Sequence, residues 1–185
     1  MNTKERILDV ARDMIALSGY HSTTTAALAG RAGISEGTIY RHFKSKEDIL
    51  IQILKDLNDK YSRFILELRA RIDGGPGTVE TVVTEHLRFV EQNVADIKIV
   101  LSSYAYLDPS KRSMTTVIER MGAFFEEHLE RAMENNLINP IPARKDALLM
   151  VTLLLGLMRL RLYWPELEDL SEEAVEFCRR SIGSK

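Results

Sequence analysis

An all-α fold in two parts is what this sequence predicts, on three observations. Apolar residues recur at spacings of three and four along almost every segment. No stretch alternates convincingly at period two, so nothing calls for a strand. The strongest breakers fall between the periodic segments: Gly19, Gly33, GGPG at 74–77, Asp108-Pro109, NNLINPIP at 135–142 and Trp164-Pro165.

The first helix is expected over residues 4–18, where Ile7, Leu8, Ala11, Met14 and Ile15 share one face and Gly19 stops it. Thr23 or Thr24 can cap a second helix, whose Ala26, Ala27, Leu28 and Ala29 allow close packing before Gly33. Ser35 caps a third, very short one. Ser45 caps a fourth, with Asp48 three residues later as in a capping box. That helix carries Leu50, Ile53, Leu54, Leu57, Tyr61, Phe64, Ile65 and Leu68 down one face. After the GGPG loop, Val79, Val82, Val83, Leu87 and Val90 mark a fifth segment, and Ile97 to Leu107 a sixth, stopped by Asp108-Pro109. A long helix runs from about Ser110 to Asn135. Pro142 can open an apolar helix reaching Tyr163, and Ser171 with Glu172 and Glu173 starts the last.

Composition narrows the class of protein. With 45% apolar and 28% charged residues, the chain has an ordinary globular balance. One cysteine, Cys178, precludes an internal disulfide framework and suits a reducing compartment; a structural thiol is the expected role. The charged start Thr3-Lys4-Glu5-Arg6 does not read as a signal peptide. The longest apolar run, Ala147 to Met158, is too short to span a bilayer and meets Arg159 and Arg161, so a buried helix is expected. Net charge is −2, and the first 49 residues hold seven Lys/Arg against six Asp/Glu. Any nucleic-acid contact must therefore come from local placement of charge.

Such placement exists at ISEGTIYRHFKSKEDIL, residues 34–50. Three short helices, the second and third joined by Ala-Gly-Ile-Ser, have the layout of a helix-turn-helix, whose second helix enters the major groove. On a helix, Ile39 and Phe43 are i, i+4 neighbours facing inward. Gly37, Tyr40, Arg41 and Lys44 then form an outward arc, with a glycine that lets the backbone come close to a phosphate-lined groove. Lys46 opposes the dipole of the helix it begins, which a phosphate would relieve.

TTTAALAGRAGISEGTIYRHFKSKEDIL resembles the DNA-binding signature of the tetracycline-repressor (TetR) family. The paired Thr, Leu-Ala, Ala-Gly-Ile-Ser, Gly-x-Ile-Tyr, His-Phe and Lys-Glu agree in order, as does the Gly19-Tyr20 turn. The resemblance covers about the first 50 residues; the rest matches in architecture only. It implies that Thr25, Tyr40, His42 and Lys46 contact phosphates. Ser35, Glu36, Gly37 and Arg41 lie where the family reads base edges or nearby backbone, beside Lys44. Glu36 departs from the Lys, Arg or small residue often found there; it either accepts from a cytosine amino group or simply favours the helix dipole. Tyr40 could instead brace the fourth helix, and His42 could be a plain surface residue beside Phe43.

The resemblance also implies a division at residues 1–48, a DNA-binding domain, and 49–185, a helical regulatory, ligand-binding and dimerisation domain. Its members are mostly repressors that act as homodimers on pseudo-palindromic double-stranded DNA and are released by a small-molecule effector. The last two helices typically dimerise. Here Leu153, Leu154, Leu157, Leu160 and Trp164, with Ala174, Val175, Phe177 and Cys178, can build that interface. Candidate pocket residues are Phe64, His86, Phe89, Tyr104, Met121, Phe124, Phe125, His128, Met150 and Tyr163, although such residues at helical spacing are more often core. Their character suggests a hydrophobic or aromatic effector. Arg159 or Arg161 either anchors an anionic ligand or pairs with Glu166, Glu168 or a partner subunit. His86 and His128 lack metal-ligand spacing, and no catalytic constellation is present, so no metal, cofactor or enzymatic activity is expected. A DNA binder without an effector remains the alternative, marked by a fully packed C-terminal core. The expected setting is the cytoplasm, without a membrane.

Overall fold

The computed structural model describes residues 2–72 and 77–183, and every regular element among them is helical. In order these are α1 (Thr3–Ser18), α2 (Thr25–Ala32), α3 (Glu36–His42), α4 (Lys46–Arg71), α5 (Thr78–Gln92), α6 (Val94–Ser103), α7 (Asp108–Glu134), α8 (Ala143–Tyr163) and α9 (Ser171–Ile182). Apart from Gly77, the expected GGPG loop lies outside the described residues.

Local chemistry explains the boundaries of the first four helices. Asn2 accepts from the Glu5 N–H at 2.9 Å while its own N–H donates to the Glu5 carboxylate at 2.8 Å, closing a capping box on α1. Of the two threonines, Thr24 caps α2, accepting from the Ala27 N–H at 3.1 Å. Gly33 ends that helix at φ 64°, a left-handed conformation that glycine adopts without penalty. Ser35 caps α3 through the Thr38 N–H at 3.2 Å. Ser45 accepts from the Asp48 N–H at 3.1 Å, but the Asp48 carboxylate reaches one residue further back, to the Lys44 N–H at 3.0 Å. The box is therefore offset, and it ties the end of the α3 region to α4.

The sixth segment ends sooner than its sequence suggests. α6 stops at Ser103, whose carbonyl accepts from both Tyr106 and Leu107 N–H groups, so residues 104–107 form a turn. Asp108-Pro109 then opens α7 instead of merely halting α6, because a proline in a helix's first turn forfeits no hydrogen bond. The buried Ser103 and Ser110 hydroxyls join across this turn at 2.8 Å.

The chain forms two compact units that do not follow sequence order. One comprises residues 1–60 and 93–116, the other residues 61–92 and 117–185, so α4 and α7 each contribute to both. In the first unit α1 packs on α2 and α6, and α2 on α3. Its core is the inward face of those helices: Ile7, Ala11, Ile15, Leu28, Ile39, Phe43, Leu50 and Ile53 are all buried. An ion network joins three of its helices. Asp96 of α6, only 3% exposed, accepts from Arg12 Nε of α1 at 2.9 Å and from Lys60 Nζ of α4 at 3.0 Å. Arg12 also reaches Asp56 at 2.8 Å and Asp9 at 2.9 Å. In the second unit α5 packs on α8 and α9 around Val82, Leu87, Val90, Val151, Leu154, Ala174 and Val175.

Candidate nucleic-acid interface and effector region

α3 presents the arc that its sequence implied. Ile39 and Phe43 are buried, while Ser35, Glu36, Gly37, Tyr40, Arg41, His42 and Lys44 are exposed. A Cβ at Gly37 would meet nothing closer than Ser35 Oγ at 3.9 Å, so the fold itself does not require a glycine there. Tyr40 is 53% exposed. Its hydroxyl lies 3.3 Å from Thr25 Oγ1 on α2, and the same threonine donates to Glu36 Oε1 at 2.5 Å. Thr25, Glu36 and Tyr40 therefore form one polar cluster at the joint of the two helices. Arg41 is steadied by donating to Thr38 Oγ1 at 2.9 Å, while Thr38 Oγ1 lies 2.9 Å from Ser35 Oγ.

Lys46 has its own internal partners. Its ammonium donates to the Tyr20 carbonyl at 2.8 Å and sits 4.2 Å from the centre of the Tyr20 ring. Partial burial lowers its pKa. The cation at the start of α4 is thus compensated within the protein, so helix-dipole repulsion alone gives no reason to require a phosphate beside it.

The expected effector residues separate into distinct environments. On α4 and α5 of the second unit, Phe64, His86 and Phe89 come together with Tyr61: ring centroids lie 5.3 Å apart for Tyr61–Phe89, 5.0 Å for Phe64–Phe89 and 6.3 Å for Tyr61–His86. Among the described residues neither His86 nitrogen nor the Tyr61 hydroxyl has a hydrogen-bond partner, although both side chains are buried. Burial pushes the His86 pKa down to about 4 and the Tyr61 pKa strongly up. Tyr61 was legible only as a member of the apolar stripe of α4; its hydroxyl on an otherwise hydrocarbon face is the signal that it is more than core.

On α7, Met121, Phe124, Phe125 and His128 are buried together, with the Phe124 and His128 rings 4.4 Å apart. His128 is satisfied locally, its Nδ1 lying 2.7 Å from the Phe124 carbonyl. Met150 is buried on α8. Tyr163 and Arg159 are exposed, and Tyr104 belongs to the first unit. Arg161 pairs with Glu91 at 2.6 Å and Asp169 at 3.3 Å, not with the expected Glu166 or Glu168. Asp169 is also the acceptor for Ser171 at the start of α9. Beside Arg161, a groove of about 240 Å³ is lined by Leu87, Leu157, Leu160, Trp164 and Leu170. Several residues of the expected dimer stripe thus border this groove, while Phe177 and Leu149 stand more than half exposed.

The profile of bacterial regulatory proteins of the tetR family matches residues 7–53, the segment that builds α1 to α3 and the start of α4. The chain is similar to the HTH-type transcriptional regulator AcrR of Shigella flexneri, 27% identical over 186 residues that cover 95% of this chain and 85% of that one. Among solved structures, a bacterial regulatory protein in the tetR family from Rhodococcus RHA1 superposes with a TM-score of 0.80 at 21% identity, covering 100% of this chain and 99% of that one. AibR, solved in complex with isovaleryl coenzyme A and operator DNA, superposes with a TM-score of 0.75 at 18% identity over 100% of both chains. At these identities the two structures establish a shared fold.

Proposed function

We propose that the chain is a transcriptional regulator of the TetR family that represses by holding an operator until a small molecule binds its C-terminal half. The observation that carries this reading is the exposed arc of α3. It combines a glycine that the fold does not need with Tyr40, Arg41 and Lys44, all outside the core. Ser35, Glu36, Gly37 and Arg41 take the base-edge side. Thr25, Tyr40, His42, Lys44 and Lys46 take the phosphates, Lys46 by exchanging or sharing its Tyr20 partners.

Residues 1–48 then serve as the reading head and residues 49–185 as the regulatory, effector-binding and dimerising part, in a cytoplasmic homodimer paired through α8 and α9. Exposed Leu149, Trp164 and Phe177 support that pairing. Two heads must lie about 34–36 Å apart to read successive half-sites. An effector releases them only by binding a different spacing more tightly. α4 is the natural connector, since it starts directly after α3 and its residues belong to both compact units. The isovaleryl coenzyme A and operator DNA bound by AibR support the general scheme; the aromatic cluster of α4 and α5 favours an apolar or aromatic effector here.

Two substitutions test the reading head. Tyr40→Phe should weaken binding similarly on all related duplexes, as loss of a phosphate contact does. Arg41→Ala should instead relax preference at particular base pairs, by about 1–3 kcal/mol at each affected position. Affinity and sequence preference unchanged in both variants would remove α3 from the interface.

A further inference from the structure

Tyr61 and His86 present a contradiction that ordinary core packing does not resolve. Tyr61 is 2% exposed and His86 3%, yet the hydroxyl and both ring nitrogens lack a partner among the described residues. A sealed polar group without a hydrogen bond is destabilising, and a leucine at either place would avoid the cost. The other buried histidine of this unit shows the ordinary solution, since His128 uses the Phe124 carbonyl one turn away. The orphaned groups also share one small cluster, in which Phe64 packs against both rings and Phe89 against Tyr61 and Phe64.

We propose that Tyr61 and His86 form the polar end of a binding site for a neutral, largely aromatic molecule whose polar group both donates and accepts a hydrogen bond, a phenol or an amide. This rests on the reading of the second unit as effector-binding. A neutral tyrosine and a neutral histidine each offer one donor and one acceptor, so such a group can satisfy both at once. Phe64 and Phe89 supply ring faces and edges for the aromatic body. A charged molecule is disfavoured because the charged groups named nearest the rings among the described residues already have partners. Glu85 beside His86 is taken by Arg71 and Arg88, and Arg120, which bears on Tyr61 from α7, donates to the Ser62 hydroxyl.

The test uses the full chain with its histidine rings labelled with nitrogen-15, titrated with phenol, benzamide and toluene. The His86 ring nitrogens, assigned by their loss in His86→Phe, should shift with phenol or benzamide and stay unmoved with toluene. His86→Phe and Tyr61→Phe should each weaken binding of the polar probe about tenfold while melting at the same temperature or higher, because each removes an orphaned polar group. Ring nitrogens that ignore both polar probes, or variants that bind them as the parent does, would overturn the site. Tyr61→Phe preserves ring volume, so the comparison survives if His86→Phe folds poorly. Release of operator DNA is measured in parallel. Binding at His86 without release keeps the site and refutes effector control through it, whereas release by a probe that leaves His86 unmoved keeps effector control and refutes this site.

Discussion

Gly37 separates stability from function at a single residue. A Cβ there would make only an ordinary contact with Ser35 Oγ at 3.9 Å, so Gly37→Ala should raise helix stability by about 0.5–1 kcal/mol while pushing a methyl group toward the proposed DNA interface. Denaturant melts should show the gain, and operator titrations a loss; unaltered affinity would mean that α3 does not approach DNA closely there. His86 gives a second prediction. Burial lowers its pKa from 6.5 to about 4, so the unfolded chain takes up a proton near pH 6.5 that the folded chain refuses until near pH 4. Stability is therefore full above that window and falls by about 3 kcal/mol on descending through it. Carboxylates titrate there too, so the difference between the parent and His86→Phe melts isolates the histidine. If the two curves stay parallel from pH 7 to 4, His86 is not sealed from water. Glu36 also belongs at this scale: its hydrogen bond from Thr25 gives it a role within the protein, alongside either reading its sequence position left open.

Helices were the most legible level. The stripe from Leu50 to Leu68 is buried along its length, and Gly19, Gly33, Ser35 and Ser45 stand at the ends where their chemistry placed them. What escaped were partners distant in sequence. Nothing near Asp96 announces Arg12 and Lys60, 84 and 36 residues away, because an ion pair leaves no periodic trace. The hydroxyl of Tyr61 was hidden by the stripe that carries it, and Lys46 found Tyr20 through a turn and two helices. The Asp96 network predicts that α1, α4 and α6 lose protection together. Asp96→Ala should cost about 2–3 kcal/mol, discounted from a fully buried pair because Arg12 and Lys60 retain access to water. Hydrogen exchange should then quicken in α6 and in the adjoining turns of α1; unchanged exchange would make the network a surface ornament.

For the whole molecule, the regulatory claim depends on two chains acting as one. An operator read by two heads must bind two chains, with affinity falling steeply as salt displaces phosphate contacts. The most direct measurement is a fluorescence-anisotropy titration of refolded, ligand-stripped protein against its own promoter DNA and a scrambled duplex, each at two salt concentrations. Saturation at two chains per site, preference for the promoter sequence at both concentrations and weaker binding at the higher one are expected. Equal affinity for both duplexes, or saturation by a single chain, would contradict the account.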